Sequence, residues 1–391
     1  MAMNKLAVTA ALVSGVLASN CRPVARYEDS PFEGIQLRPD PYYVNELVSY
    51  GIPGLPEELK PAGEELLDIS TFQWLDRIAR IELLNSTLHE IRAANDAGAS
   101  PPYAHTFVIY NFPDRDCSAE SSAGELLIEE DGLNRYKTEY IDPIVELLNE
   151  FHDIRSIIAY EPDGLANLIT NMGVEACAIA SPAYREATEY ALAALDLPHV
   201  AVYLDAGHAG WLGWDGNLPL TAELYAELYH NAGSPNSTRG LVTNVSNYNG
   251  YRLETAPNYT VPNAQWDESR YHAAIAPFLE AEGFPAHFIV DQGRSGVQPG
   301  GRQQWGFWCN IVNSGFGPRP DPNPDSELLD AIVWIKPGGE SDGTSDETAA
   351  RFDEMCVGPS AFVPAPEAGG WFQEYFEMLI RNANPAFESI S

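Results

Sequence analysis

Six short apolar runs in this chain each pass directly into a cluster of polar residues. Phe107-Val-Ile-Tyr110 leads into Pro113-Asp-Arg-Asp-Cys117, and Ile157-Ile-Ala-Tyr160 into Glu161-Pro-Asp163. Val200-Ala-Val-Tyr-Leu204 leads into Asp205-Ala-Gly-His208, and Leu241-Val-Thr-Asn244 into Asn247-Tyr-Asn249. Phe288-Ile-Val290 leads into Asp291-Gln-Gly-Arg294, and Ile332-Val-Trp-Ile335 into Lys336, Glu340 and Asp342. A strand covered on both faces reads as a continuous apolar stretch, as in parallel sheets. In barrels of such strands, functional groups gather where the strands end. Thr71-Phe-Gln-Trp74 supplies an opening strand. Between the runs, apolar residues fall at helical spacing: Ile78, Ile81, Leu84, Leu88 and Ile91; Ile144, Leu147, Leu148 and Phe151; Tyr271, Ile275, Phe278 and Leu279. This alternation through the whole body predicts an α/β fold, a distorted parallel β/α barrel of about seven strands.

The chain is long enough, at 391 residues, for one large barrel. Its net charge of −34 repels phosphate backbones and anionic lipid, so neither nucleic acid nor membrane is an expected partner. An uncharged ligand fits better. Lys5, the apolar stretch Leu6 to Leu17 and the small residue Ala18 read as a secretory signal over residues 1–20, leaving one domain over 21–391. Four of the five cysteines, Cys117, Cys177, Cys309 and Cys356, lie in the body of the chain and allow three pairings. Cys21 stands at the start of the mature chain. Asn85-Ser-Thr, Asn236-Ser-Thr, Asn244-Val-Ser and Asn258-Tyr-Thr are glycosylation sequons, Asn244 the doubtful one because it ends a strand. Residues 22–65 are Pro-rich and are expected to wrap the outside. Two long polar segments, 117–134 and 340–370, start at the acidic rim and can arch over it.

The rim suggests acid/base chemistry. Cleaving a glycosidic bond takes one protonated carboxyl for the leaving oxygen and a route for a water proton on the opposite face. Asp163 is the candidate acid; a neighbouring carboxylate such as Asp116 would keep it protonated. The structural alternative for Asp163 is a helix N-cap, and for Asp116 a pair with Arg115. Asp205 and Asp291 read as carboxylates that orient polar neighbours. Asp342 sits in Gly338-Gly-Glu-Ser-Asp-Gly343, where a solvated turn aspartate is the default. Trp74, Trp211, Trp214, Trp305 and Trp308 lie near strand ends or loops, as stacking platforms for sugar rings do. Any one of them can instead be core. His208 reads as a hydrogen-bonded structural histidine. No histidine pair has metal spacing, no phosphate loop and no G-x-S-x-G elbow occurs, so no metal and no cofactor are expected.

Read together, these motifs resemble glycoside hydrolase family 6. The blocks are Val108-Ile-Tyr110-Asn-Phe-Pro113-Asp-Arg115-Asp116-Cys117 with Ser121-Ser-Ala-Gly124, Glu161-Pro-Asp163, Leu204-Asp-Ala-Gly-His-Ala-Gly-Trp-Leu-Gly-Trp214, Asp291-Gln-Gly-Arg-Ser-Gly296, Gln304-Trp-Gly-Phe-Trp-Cys309 and Lys336-Pro-Gly-Gly-Glu340. The likeness runs from about Pro31 to the C-terminus. It implies inverting hydrolysis of β-1,4-glucan. It assigns Asp163 as general acid, Asp116 as the carboxylate that keeps it protonated and helps pass the water proton, and Tyr110 as the residue that distorts the reacting sugar. Ser122 would hold the water, and Asp342 is the other carboxylate put forward as base. Sugar-binding positions fall on Trp74, His208, Trp211, Asn247, Trp308, Lys336 and Glu340; Arg115, Asp205 and Trp214, beside them in the same motifs, are further candidates for binding substrate. The resemblance also pairs Cys117 with Cys177 and Cys309 with Cys356.

Because both long loops are present in full, the chain resembles the family's fungal cellobiohydrolases, with a roofed active-site tunnel. That implies exo-action from the non-reducing end of cellulose with release of cellobiose. With the secretory signal, a secreted, extracellular monomer is expected. Alternatives are an endoglucanase of the same family and a catalytically silent protein that binds cello-oligosaccharides. Tyr160, Gly164 and Asn111 depart from the usual pattern. No cellulose-binding module or linker is visible.

Overall fold

The computed structural model describes residues 23–27 and 29–390; the expected signal segment and Cys21 lie outside the described residues. Seven parallel strands run in sequence order across one sheet. They are β1 (Gln73–Leu75), β2 (His105–Ile109), β3 (Ser156–Tyr160), β4 (Val200–Asp205), β5 (Thr238–Thr243), β6 (His287–Asp291) and β7 (Leu329–Val333). The sheet curls until β1 approaches β7: the Phe72 N–H donates to Trp334 O (3.1 Å) and Trp74 Nε1–H to Ile335 O (2.9 Å). Those bonds lie at the same end of the sheet as the polar clusters, so they close the seam beside the rim.

The apolar runs mark the strands because each is buried on both faces. Inside the curl, Val108, Tyr110, Ile157, Ala159, Ala201, Tyr203, Val242 and Ile289 pack together. Outside it, Phe107, Ile109, Ile158, Val202 and Phe288 meet the helices. Helix Ile81–Asp96 buries Leu84, Leu88 and Ile91 as its spacing predicts. Helix Asp142–Glu150 begins with a proline in its first turn, where a missing N–H costs nothing.

Three expectations are corrected. The last strand starts earlier than Ile332, because Asp330 interrupts its apolar pattern. That carboxylate is buried and takes hydrogen bonds from Arg239 Nε (2.8 Å) and Tyr203 OH (2.6 Å), so a charged residue sits within a covered strand. Strand–helix alternation fails between β6 and β7, where residues 292–328 carry no helix. The N-terminal segment does not merely wrap the outside. Phe32 packs with the interior cluster. Tyr43, Leu47, Leu55, Leu59 and Leu66 build a second core with Phe316, Trp334, Phe372 and Phe376.

Cys117 is bonded to Cys177 and Cys309 to Cys356. Each disulfide anchors one of the two long loops, and the loops touch. Ser121 Oγ lies 3.8 Å from Cys356 Sγ. Gly343 sits between them, and a Cβ there would come within 2.5 Å of Cys356 Sγ and 2.6 Å of Ser121 Oγ. Only glycine lets the two loops approach this closely.

Candidate active site

The chain following β2 carries the first half of the site. Tyr110 is buried, with its ring edge-on to Trp74 (centroids 5.3 Å apart, 90° between planes) and the Arg115 guanidinium 4.3 Å above it. Arg115 is spent on backbone: Nε donates to Ser122 O (2.7 Å), and NH1 to Asp76 O (2.6 Å) and to Tyr110 O. It therefore shapes the loop through Nε and NH1. Asp116 takes the left-handed backbone conformation (φ 66°) and accepts the Ser122 N–H at 2.7 Å.

The chain following β3 carries the other half. Glu161 (φ 50°) and Asp163 (φ 65°) are also left-handed, conformations that cost non-glycine residues energy and collect at functional sites. Buried Glu161 accepts the N–H groups of Asn111 and Phe112 and the Tyr136 hydroxyl (2.8 Å). It thereby ties the Asp116 loop to the Asp163 loop. Asp163 stands where an N-cap would, at the start of helix Gly164–Thr170, but its side chain makes no capping bond. Its Oδ2 instead accepts the Ser246 hydroxyl at 2.7 Å. Its own N–H donates to Asp205 Oδ1 (2.9 Å), which also accepts the Gly207 N–H (3.0 Å). Asp205 is 1% exposed. Placing it among the sugar contacts is corrected, since it orients the Asp163 backbone from beneath.

Burial lifts the Asp116 carboxyl to about 7, with the charge of Asp163 adding to the shift. Burial likewise lifts Asp163 to about 6; the Ser246 bond opposes this and the charge of Asp342 adds to it. Burial, rather than Asp116, is thus the main cause of the upward shift of Asp163. Asp342 is not a solvated turn residue. Its side chain is 8% exposed against 2% for Arg294, whose NH1 lies 2.7 Å and 2.8 Å from its two oxygens. Tyr248 OH (2.6 Å) and the Asn310 N–H (2.9 Å) also donate to it. Burial alone would raise Asp342, but Arg294 and these donors hold it below the usual carboxylate range. A carboxylate so fully engaged is a weak base, and the arrangement favours an anchoring role.

The candidate sugar contacts divide by exposure. Trp74, Trp211 and Trp308 are half-buried and Trp214 is 37% exposed. Trp211 Nε1–H is fixed on Thr170 Oγ1 (2.6 Å), which sets its ring plane. Trp305 is core, its Nε1–H bonded to Asn249 Oδ1 (2.9 Å), and leaves the stacking set. His208 and Asn247 are buried partners (3.0 Å); burial and the nearby Arg302 charge lower His208 to about 3, so its ring is neutral. Among the described residues no group of three His, Cys, Asp or Glu side chains is placed to hold a metal.

Lys336 and Glu340 lie together (Nζ to Oε2 3.5 Å). Behind them is Glu46, from the segment read as an outer wrap. Burial, the Glu340 charge and the hydrogen bond between the two carboxyls raise Glu46 to about 9, opposed by Lys336. An unfolded chain releases that proton near 4.5, so between there and about 9 the folded chain binds one more proton. Stability then falls as pH rises across this window, by at most about 1.4 kcal/mol per pH unit. Glu46→Gln, which can donate to Glu340 without titrating, is expected to flatten that decline in thermal melts taken across the window. Parallel wild-type and variant slopes would contradict it.

Sequence reasoning missed Glu46, Glu161, Arg294 and Ser246 as parts of the site. Ser246 did carry a signal, because it completes the doubtful sequon. Asn244 is 1% exposed and its Nδ2 donates to Asn249 O (2.9 Å) and Asp291 O (2.7 Å), so the amide is a structural pin.

With this geometry in view, the sequence profile described as Glycosyl hydrolases family 6 matches residues 33–383. The chain belongs to glycosyl hydrolase family 6. Its similarity to the family 6 exoglucanase-6A of Humicola insolens is 54% identity over 365 residues, covering 93% of this chain and 76% of that protein. The catalytic core of the cellobiohydrolase Cel6A from Chaetomium thermophilum superposes with a TM-score of 0.91 at 53% identity, over 92% of this chain and all of that one. Cellobiohydrolase II of Humicola insolens, in complex with glucose and cellotetraose, gives 0.90 at 54% identity, over 91% and 99% of the two chains.

Proposed function

We propose that this family 6 chain is an exo-acting cellobiohydrolase. It cleaves β-1,4-glucosidic bonds of cellulose with inversion and releases cellobiose from the non-reducing end. The observation that carries the exo reading is the contact of the two disulfide-anchored loops at Ser121, Gly343 and Cys356. In this reading, loops that meet next to Ser122 and Asp342 close round the site, so that a chain threads through rather than lies across. The similar enzymes named above, one of them bound to cellotetraose, support the substrate class.

In this reading Asp163 hands its proton to the departing glucosidic oxygen while water attacks the opposite face of the sugar. Tyr110, wedged between Trp74 and Arg115, presses on the reacting ring. Ser122, tied to Asp116 through its N–H, holds the water, and Asp116 takes part in relaying its proton. Trp74, Trp211, Trp214 and Trp308 stack glucose units; Lys336, Glu340, His208 and Asn247 bind their hydroxyls. Secretion accords with the apolar segment at Leu6 to Leu17 and with disulfides that persist in oxidising compartments. Among the described residues no helix is long and apolar enough to cross a membrane.

Product and viscosity measurements test the reading. Cellohexaose should yield mainly cellobiose, and carboxymethyl cellulose should lose viscosity slowly. Rapid viscosity loss would indicate an open-cleft endoglucanase. Binding of cello-oligosaccharides with no product would indicate a silent binding protein.

A further inference from the structure

We propose that Ser246 is a positioning residue for the acid. Its hydroxyl occupies Oδ2 of Asp163 and leaves Oδ1 as the oxygen that carries the transferable proton. The inference rests on the reading of Asp163 as general acid. Among the described residues Ser246 donates the one hydrogen bond that the Asp163 carboxyl receives, at 2.7 Å. A hydroxyl at that distance and aimed at Oδ2 makes Oδ2 the acceptor, so the acidic hydrogen belongs on the other oxygen.

The loop that delivers Ser246 is held rigidly on both sides. Asn244 takes a left-handed conformation (φ 69°), and its N–H donates to Gly207 O at 2.7 Å. Its Nδ2 donates to Asn249 O and Asp291 O, and its Oδ1 accepts the Asn249 N–H at 3.0 Å. On the other side, Asn247 is tied to His208, to the Tyr248 N–H and to Arg302. Gly207 is also where Asp205 is fixed, and Asp205 holds the Asp163 N–H. Backbone and carboxyl of Asp163 are thus oriented by one connected frame spanning the ends of β3, β4 and β5.

When Asp163 acts, its Oδ1–H bond breaks and the proton moves to the glucosidic oxygen. The bonding electrons stay on the carboxylate. Its new negative charge is shared with Oδ2, where the Ser246 hydroxyl already points. A hydrogen bond to a neutral acid becomes one to an anion and strengthens as charge develops. The other groups facing Asp163 give no such help. Asp116, Asp205 and Asp342 are acidic, with Arg294 spent on Asp342, and Tyr110 and Tyr225 are neutral phenols.

The test is the pH dependence of kcat and KM on cellotetraose for wild type, Ser246→Ala, Ser246→Thr and Asp163→Asn, each checked for folding by thermal melting. Loss of the donor favours the protonated acid. Ser246→Ala is therefore expected to move the alkaline limb of kcat to higher pH, lower plateau kcat by about tenfold and leave KM unchanged. Ser246→Thr, which keeps a hydroxyl, should return both towards wild type. An unmoved limb in Ser246→Ala would overturn the proposal, and so would a limb moved to lower pH, which would mean the acid donates to the serine. Asp163→Asn separates the two ideas. If it is inactive while Ser246→Ala leaves the limb in place, only the role of Ser246 fails; if it turns over normally, the general-acid reading fails as well.

Discussion

Asp163→Asn is expected to lower kcat on cello-oligosaccharides by about 10²–10⁴-fold, the usual contribution of a positioned proton donor. Asparagine keeps the shape of the side chain and an oxygen for the Ser246 hydroxyl, so the loop should stand and substrate should still bind. The change is confined to the proton. For the same reason wild-type kcat is expected to fall as pH rises through about 6, where Asp163 loses it. Single-turnover kinetics with oligosaccharide binding measured in parallel checks both statements. Near-normal turnover by the variant would remove Asp163 from the chemistry.

The second large effect concerns stability. Arg294 and Asp342 form a buried ion pair whose remaining valences are filled by Tyr248 and Asn310. Removing one partner leaves an uncompensated charge away from water, which costs about 3–5 kcal/mol. Arg294→Met is therefore expected to lower the free energy of unfolding, measured by denaturant titration, by that amount, whereas Arg294→Met combined with Asp342→Leu should recover a substantial part of it. A single-variant cost under about 1 kcal/mol would show that the pair is not the anchor described here. The double variant also bears on mechanism. If Asp342 holds the C-terminal loop rather than taking a proton from water, activity should follow loop integrity, not the carboxylate.

The strands were legible because burial on both faces leaves a continuous apolar run, and the site was legible because such runs end in carboxylates. What the sequence could not show are contacts between distant segments. Asp330 breaks the pattern of β7 since its charge is met by Arg239 and Tyr203, on β5 and β4. Glu46 looked like part of an outer wrap because nothing local announces that it meets Glu340, 294 residues away. Asp205 and Arg115 sit in the right motifs, but their donors and acceptors turn to backbone atoms that no residue pattern encodes. Ser246 shared its three-residue motif with a glycosylation signal; burial of Asn244 decides between the two meanings. The Cys117–Cys177 and Cys309–Cys356 pairs came through resemblance alone, since four cysteines leave three pairings open.

The claim at the centre of this account is that Asp163 protonates one face of the glucosidic linkage while water enters from the other. Proton NMR of cellotetraose hydrolysis, recorded before the products mutarotate, tests it most directly. The newly formed cellobiose reducing end is expected to appear first as the α-anomer. First appearance of the β-anomer would mean retention through a covalent intermediate, and would contradict it.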